Sequence, residues 1–407
     1  MKRFNNYLIE SKNMHMEHIE DMIFNDGVDG ARLAITSLQR LRNMLAGSSS
    51  KEFDITVKWD GAPALFAGID PADGKFFVGT KGVFNKDPKL NKTPADIRKN
   101  HSGDLAKKLL TALKYLPELG IKGVVQGDLL FTKEDIQTDT IDGNNYTTFH
   151  PNTIVYAIPS DSQLSKQVRA ARIGIVWHTI YKGNSLGSMS ASFGVDIAGK
   201  LQKTRNVFST DANYRDQSGK ATFTKSETSE VTNHLSKAGS LLRTLPRDFL
   251  SLIADDNEVK MRVKAFLNTF VRAGEPFPDS GKMANKLYDY VEAYYKKEED
   301  KYKTDKGKEG ARAKKAKFAK ILASPNELKA LFDFFNETVQ AKLMIINKLH
   351  KAEGLKTFLR TSNGMKVTDR EGYVAIDKLE GGAVKLVDRM EFSKANFSND
   401  VLKGWQK

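Results

Sequence analysis

The sequence predicts an α+β protein, a β-rich core interrupted by a long helical block. Three observations carry this. Apolar residues recur at spacings of three and four near the start, most clearly in "LAITSLQRLRNML", and again from ~225 to ~352. Between these blocks lie short β-like runs, "FDITVKW", "PALFAGID" and "KFFVGTKG", set apart by turn chemistry. β texture returns only near the end, in "REGYVAID" and "GAVKLVDRMEFS". The implied organisation is a helical segment over 1–50, a first part of the core over 51–215, a helical insertion over 216–352 and C-terminal core strands over 353–407.

Taken in order, residues ~14–46 read as two helices parted by "NDGVDG", the second stopped by Gly47 and the serines after it. "DPADG" has the chemistry of a hairpin turn. "GDLAKKLLTALKYL" has the spacing of an amphipathic helix, and "IKGVVQGDLLFT" that of a strand punctuated by Gly127. "NTIVYAIP" and "RIGIVWHTIY" are further strands, with a short helix in "SDSQLSKQVRAA" between them. No repeat at a fixed period is visible.

Composition narrows the function. Over 407 residues, 40% hydrophobic and 28% charged is the profile of a soluble globular protein. No apolar run approaches the ~20 residues of a membrane span, and the start "MKRFNNYLIESKNMHMEHIED" lacks the apolar stretch of a signal peptide. The expectation is a cytoplasmic protein with no membrane partner. The absence of cysteine excludes disulfides, Cys-ligated zinc, iron–sulfur clusters and thiol catalysis. A net charge of +14 favours a polyanionic partner through counterion release, although charge alone leaves a generically basic protein open.

The chemistry begins at Lys58, in "TVKWDGAPA". An isolated Lys-x-Asp-Gly at a strand end is ordinarily a solvated lysine before a turn. A functional reading needs partners elsewhere. Downstream, in order, stand "VGTKGVFNK" with Lys81 and Gly82, "VVQGDLLF" with Asp128, "IGIVWHTIY" with Trp177, "REGYVAID" with Glu371, and "AVKLVDRMEFS" with Lys385 and Arg389.

This ordered set resembles the motifs of the covalent nucleotidyltransferases, the ATP-dependent DNA ligases, RNA ligases and mRNA capping enzymes. The opening segments also resemble ligase-like proteins of large tailed bacteriophages. The resemblance covers ~53–182 and ~367–395 and leaves the helical block unexplained. It implies a nucleotidyltransferase core, ATP-grasp-like and built of antiparallel sheets, in which Lys58 takes AMP from ATP. Lys81 and Lys385 would assist catalysis. Val57, Asp60, Gly61, Asp128, Trp177 and Arg389 would bind the nucleotide. Glu371, Asp128 and Asp60 would hold Mg2+, with Mn2+ as an alternative. A nucleic-acid substrate is implied, RNA rather than DNA, because no oligonucleotide-binding fold follows Lys385.

The residue types suit those roles. An ammonium is not a nucleophile, so Lys58 must be brought down from its ordinary pKa of ~10.4 by cations, a metal or desolvation. Lys81, Lys385 and Arg389 could also offset charge at the α-phosphorus. Mg2+ prefers carboxylates, water and phosphate oxygens. Gly61 would allow close backbone approach. Trp177 is the base-stacking candidate, with Phe66 or Phe131 in reserve; its competing role is core packing. Glu371 is preferred to Glu353, at a helix end, and to Glu380, in a turn-like "EGG". The histidines lack metal-ligand spacing, and His15 and His18 read as solvated.

Departures from the pattern are Asp128 where Glu is usual, Pro63 in the first motif, and Val387 where a second lysine is usual, with Arg389 as its substitute. The third and fourth motifs are also far apart. Lys306 to Lys320, including Lys314, Lys315 and Lys317, could track a phosphate backbone or simply form a solvated face. The leading expectation is an ATP-dependent polynucleotide ligase. The alternatives are a nucleotidyltransferase acting on an RNA end, nicked DNA or a protein, and a non-catalytic phage nucleic-acid-binding protein with a degenerate core.

Overall fold

The computed structural model describes residues 17–48, 53–193, 195–212, 222–350, 356–362, 364–377 and 383–405. His15, Glu353 and Glu380 lie outside these residues. The strands are β1 (Phe53–Lys58), β2 (Ala64–Ile69), β3 (Phe76–Gly79), β4 (Val124–Thr132), β5 (Gln137–Ile141), β6 (Asn144–Phe149) and β7 (Ile154–Pro159). They continue as β8 (Ile173–Lys182), β9 (Ser190–Phe193), β10 (Val207–Asp211), β11 (Lys356–Thr361), β12 (Gly364–Val367), β13 (Gly372–Asp377) and β14 (Ala383–Leu386).

Among the described residues these strands make three sheets, in the orders β1-β13-β14, β10-β8-β4-β2-β3 with β9 added on β8, and β12-β11-β7-β6-β5. The β10–β8 pair is parallel and the other strand pairs are antiparallel. The fold is therefore mixed α+β with largely antiparallel sheets. Alternation decides which face each strand buries. On β8, Ile173, Ile175 and Trp177 enter an apolar core with Leu65, Val125 and Leu109. Val176 faces a second core with Phe131, Tyr156 and Val387.

The "DPADG" turn forms as expected between β2 and β3, with Gly74 at φ +70° and its N–H donating to the Asp70 carbonyl. The sequence reading placed the β return only at "REGYVAID". The structure instead resumes strands at β11, which pairs with β7. It also adds the β5–β6 hairpin across Asp142–Gly143, both with positive φ. These strands are short and polar on one face, so their alternation is weak in the sequence.

Helices run from Lys225 to His350, ending in the long helix Pro325–His350. They pack together around Phe266, Phe332 and Phe335. They also share a core with the three-stranded sheet, where Ile345 and Leu349 meet Val57, Tyr373 and Leu386. The N-terminal helix, Met22–Leu45, joins both bodies: Phe24 packs among the other helices, while Leu38 and Leu41 pack on the sheet. The expected separation at "NDGVDG" is a break inside this helix, at Asp26 and Gly27. No helix among the described residues is long and apolar enough to cross a membrane.

Candidate active site

Lys58 is the last residue of β1, where the apolar run "ITV" gives way to the Trp59–Pro63 loop. Antiparallel register sets Lys58 opposite Gly372 and Val374 opposite Lys385. Three segments separated by up to 327 positions in the chain thereby become adjacent strands. The Lys58 ammonium donates a hydrogen bond to Oε1 of Glu371, the residue just before β13. Gly372 opens β13 with φ +146°, and a Cβ there would lie 2.2 Å from the Leu386 carbonyl oxygen, so only glycine fits.

The second carboxylate comes from the neighbouring sheet. Asp128 on β4 pairs with Ala64 on one side and Val176 on the other. The Trp59–Pro63 loop lies directly against it. The Ala62 N–H donates to the Leu129 carbonyl at 2.9 Å, and a Cβ on Gly61 would sit 2.6 Å from the Asp128 Cβ. Gly61 thus serves close approach of protein to protein at this place.

Four charged groups feel one another here. Burial pushes the Glu371 carboxyl above its ordinary value, Lys58 and Lys385 pull it back, and Asp128 adds to the rise. Burial also lowers the Lys385 ammonium, and the positive charge of Lys58 lowers it further. A buried amine flanked by a cation and a carboxylate is the environment that separates proton affinities in reactive sites.

Several expected site residues take other roles. Trp177 is fully buried, and its indole N–H donates to Ser209 Oγ at 2.9 Å. It is a core side chain and offers no face to a base; Phe66 and Phe131 are equally buried. The strand alternation that buries Trp177 turns His178 to the opposite face, where its Nε2 lies 3.7 Å from Asp128 Oδ2. Metal-ligand spacing gives no sign of His178, whereas the parity of "VWHTIY" puts it on the face opposite Trp177. Trp59 is half-buried, its ring 5.0 Å from that of Tyr156 and 5.4 Å from the Arg370 guanidinium.

Asp60 is buried, and its carboxylate is engaged by protein donors. Asn152 Nδ2 donates to Oδ1 at 2.6 Å, and the N–H groups of Thr153 and Ile154 donate to Oδ2 at 2.5 and 2.7 Å. The Asp60 N–H donates to the Tyr156 hydroxyl at 2.8 Å. Burial and the negative charge of Glu371 raise this carboxyl to about 7, against the pull of its donors. Asp60 organises the loop and is not an open metal or nucleotide ligand.

Arg389 is likewise committed. Its guanidinium forks onto both oxygens of Asp21, at 2.9 and 2.6 Å, in a buried pair. Lys342 of the long helix pairs with the adjacent Glu20 at 2.6 Å. Val387 is buried in an apolar core. The cation expected one step beyond Lys385 is therefore locked into holding the N-terminal segment. His18 belongs to that segment; rather than being solvated, it is largely covered and its backbone bridges to Lys385.

Val57 is buried on the sheet, its N–H donating to the Ala212 carbonyl at 2.6 Å. Lys81 is exposed, just beyond β3, and the Phe66–Gly79 register brings it to the same end of the sheet as Asp128. Among the described residues no three His, Asp or Glu side chains gather as a metal-binding group. The lysines expected to track phosphate are paired with acids: Lys315 with Glu292, Lys317 with Asp256, both at 2.7 Å, and Lys314 with Glu258 at 3.8 Å.

Fold and site together define an α+β protein of antiparallel sheets carrying a lysine–carboxylate–lysine cluster where two sheets meet. The chain belongs to a family of unknown function, DUF6267, whose pattern spans residues 13–401. No curated protein and no solved structure matches it.

Proposed function

We propose that the chain is an ATP-dependent nucleotidyltransferase of the polynucleotide-ligase type, with Lys58 as the nucleophile and RNA ends as the preferred substrate. The observation that carries this reading is the meeting of Lys58, Asp128 and the pair Glu371 and Lys385 from three distant parts of the chain.

In the first step the Lys58 amine, having lost its proton, attacks the α-phosphorus of ATP. An N–P bond forms and the P–O bond to pyrophosphate breaks. Glu371 is hydrogen-bonded to the amine and holds it at the end of β1. Lys385, whose own ammonium burial and the charge of Lys58 disfavour, can bind a phosphate oxygen. Next, an oxygen of a nucleic-acid 5′-phosphate displaces the lysine and takes the AMP. A 3′-hydroxyl oxygen then attacks that 5′-phosphorus, and AMP leaves. Glu371 and Asp128 are the carboxylates that would hold Mg2+; two acids leave the remaining positions to water and phosphate, as this ion prefers. When bound it supplies neutralisation of phosphate charge.

The test is incubation with α-labelled ATP or GTP and Mg2+ or Mn2+. Acid-labile label on the wild type and none on Lys58→Ala supports the reading. No label with any nucleotide or metal overturns it. A transferase to another acceptor shares the first step. It is recognised if 5′-phosphorylated RNA and nicked DNA fail to discharge the label.

A further inference from the structure

We propose that residues 395–404 act as a strap that positions the Lys58 loop through Asn152 and Thr153. The inference rests on the proposed role of Lys58 and adds residues outside the motifs to its machinery.

The contacts form one chain. The strap docks by a bridge between Val401 and Thr361 and by the Leu402 N–H donating to the Arg360 carbonyl at 2.9 Å. The Gly404 N–H donates to the Asn152 carbonyl at 2.7 Å. Lys403 Nζ donates to Thr153 Oγ1 and to the Ala395 carbonyl, both at 3.1 Å. The Thr153 hydroxyl donates to Asn396 Oδ1 at 2.5 Å. Asn152 and Thr153 are thus gripped from the strap side, and the same two residues donate to Asp60. Asp60 is two residues from Lys58, in the loop that packs on Asp128. Strap, Asn152–Thr153, Asp60 and Lys58 are consecutive links.

The fit at Gly404 is tight. A Cβ there would lie 1.9 Å from the His150 carbonyl oxygen, which is backbone and cannot swing away. The positive charge of Lys403 also lies within electrostatic reach of Asp60. A strap that merely covered apolar surface would not need a glycine contact and three polar contacts concentrated on two loop residues. Small displacements of a nucleophile are costly: ~1 Å of misplacement lowers rate about a hundredfold.

The test uses the full chain with Gly404→Ala, Asn152→Ala, Lys403→Met and Lys403→Arg. In hydrogen exchange, Gly404→Ala and Asn152→Ala should speed exchange at the amides of Asp60, Thr153 and Ile154. Amides in the helix Pro325–His350 should be unchanged. In the labelling assay at saturating ATP, Lys403→Met and Asn152→Ala should slow Lys58 nucleotidylation about tenfold or more with KM for ATP within about twofold, and Lys403→Arg should restore most of the rate. Unchanged exchange at Asp60, Thr153 and Ile154 in both Gly404→Ala and Asn152→Ala overturns the proposal, as does a loss of protection spread equally over the helices. The exchange arm needs no nucleotide, so it decides the strap's role even if Lys58 takes no label.

Discussion

Lys58→Ala and Glu371→Gln remove opposite halves of one ion pair, and the structure makes their effects unequal. The Lys58 side chain is 28% exposed and that of Glu371 is 8% exposed. Removing the lysine strands a nearly buried carboxylate. Removing the carboxylate's charge leaves a lysine that can reach water. Breaking a fully buried pair from one side costs ~3–5 kcal/mol. The exposure of Lys58 reduces this, so Lys58→Ala should cost about 2 kcal/mol at pH 7 and Glu371→Gln less than about 1 kcal/mol. The sign with pH is also set. The folded pKa of Glu371 is raised, so its contribution is favourable in acid and is lost as pH rises through that pKa. Without Lys58 that pKa rises further. The deficit of Lys58→Ala should therefore shrink as pH is lowered and the stranded acid takes up a proton. Urea unfolding followed by tryptophan fluorescence, with Trp59 beside the site, measures this. Equal costs for the two variants, or a deficit that grows in acid, would refute the argument.

Other outcomes follow from the same contacts. Asp60, with a folded pKa of about 7 against an ordinary carboxyl, stabilises the fold in acid and loses that contribution as pH rises through neutrality. Asp60→Asn should flatten this dependence between about pH 4 and 7, whereas Asp60→Ala, losing three donors' acceptor, should cost about 2–3 kcal/mol in urea unfolding. Arg389→Ala should cost about 3–5 kcal/mol, with strong coupling to Asp21→Ala in a double-mutant cycle; a rise in KM for ATP with unchanged stability would instead mean that Arg389 meets phosphate. Trp177→Ala should cost about 3–5 kcal/mol through core loss. His178→Ala should shift nucleotide affinity in the labelling assay while changing stability by less than about 1 kcal/mol.

Much of the architecture was legible because helix and strand periods are local. The helices over 225–350 and the strands around Lys58, Asp128, Trp177 and Glu371 fall where apolar spacing sets them. The strands β5, β6, β11 and β12 escaped because their runs are rich in Thr, Asn and Lys and read as loop. In the site, motif order singled out Lys58, Glu371 and Lys385, and the structure joins the first two by a hydrogen bond and brings the third within their field. The same order named Trp177, Arg389 and Asp60, whose side chains are engaged elsewhere. Their residue types were suited to the roles, but type does not reveal what a side chain already holds.

By itself the sequence determined the α+β class, the helical block and the lysine at the end of β1. Each depends on neighbours a few positions away, through spacing, turn chemistry and capping. Only the tertiary structure decided which partner each charge takes. Arg389 goes to Asp21, 368 positions distant, and Asp60 to the amides near Thr153. It also decided that His178 rather than Trp177 shares a face with Asp128, and that Met22–Leu45 serves both bodies. The reason is physical. Burying a charge is tolerable only beside a counter-charge or donor, and which ones lie within about 3 Å is settled by long-range packing that no local pattern encodes.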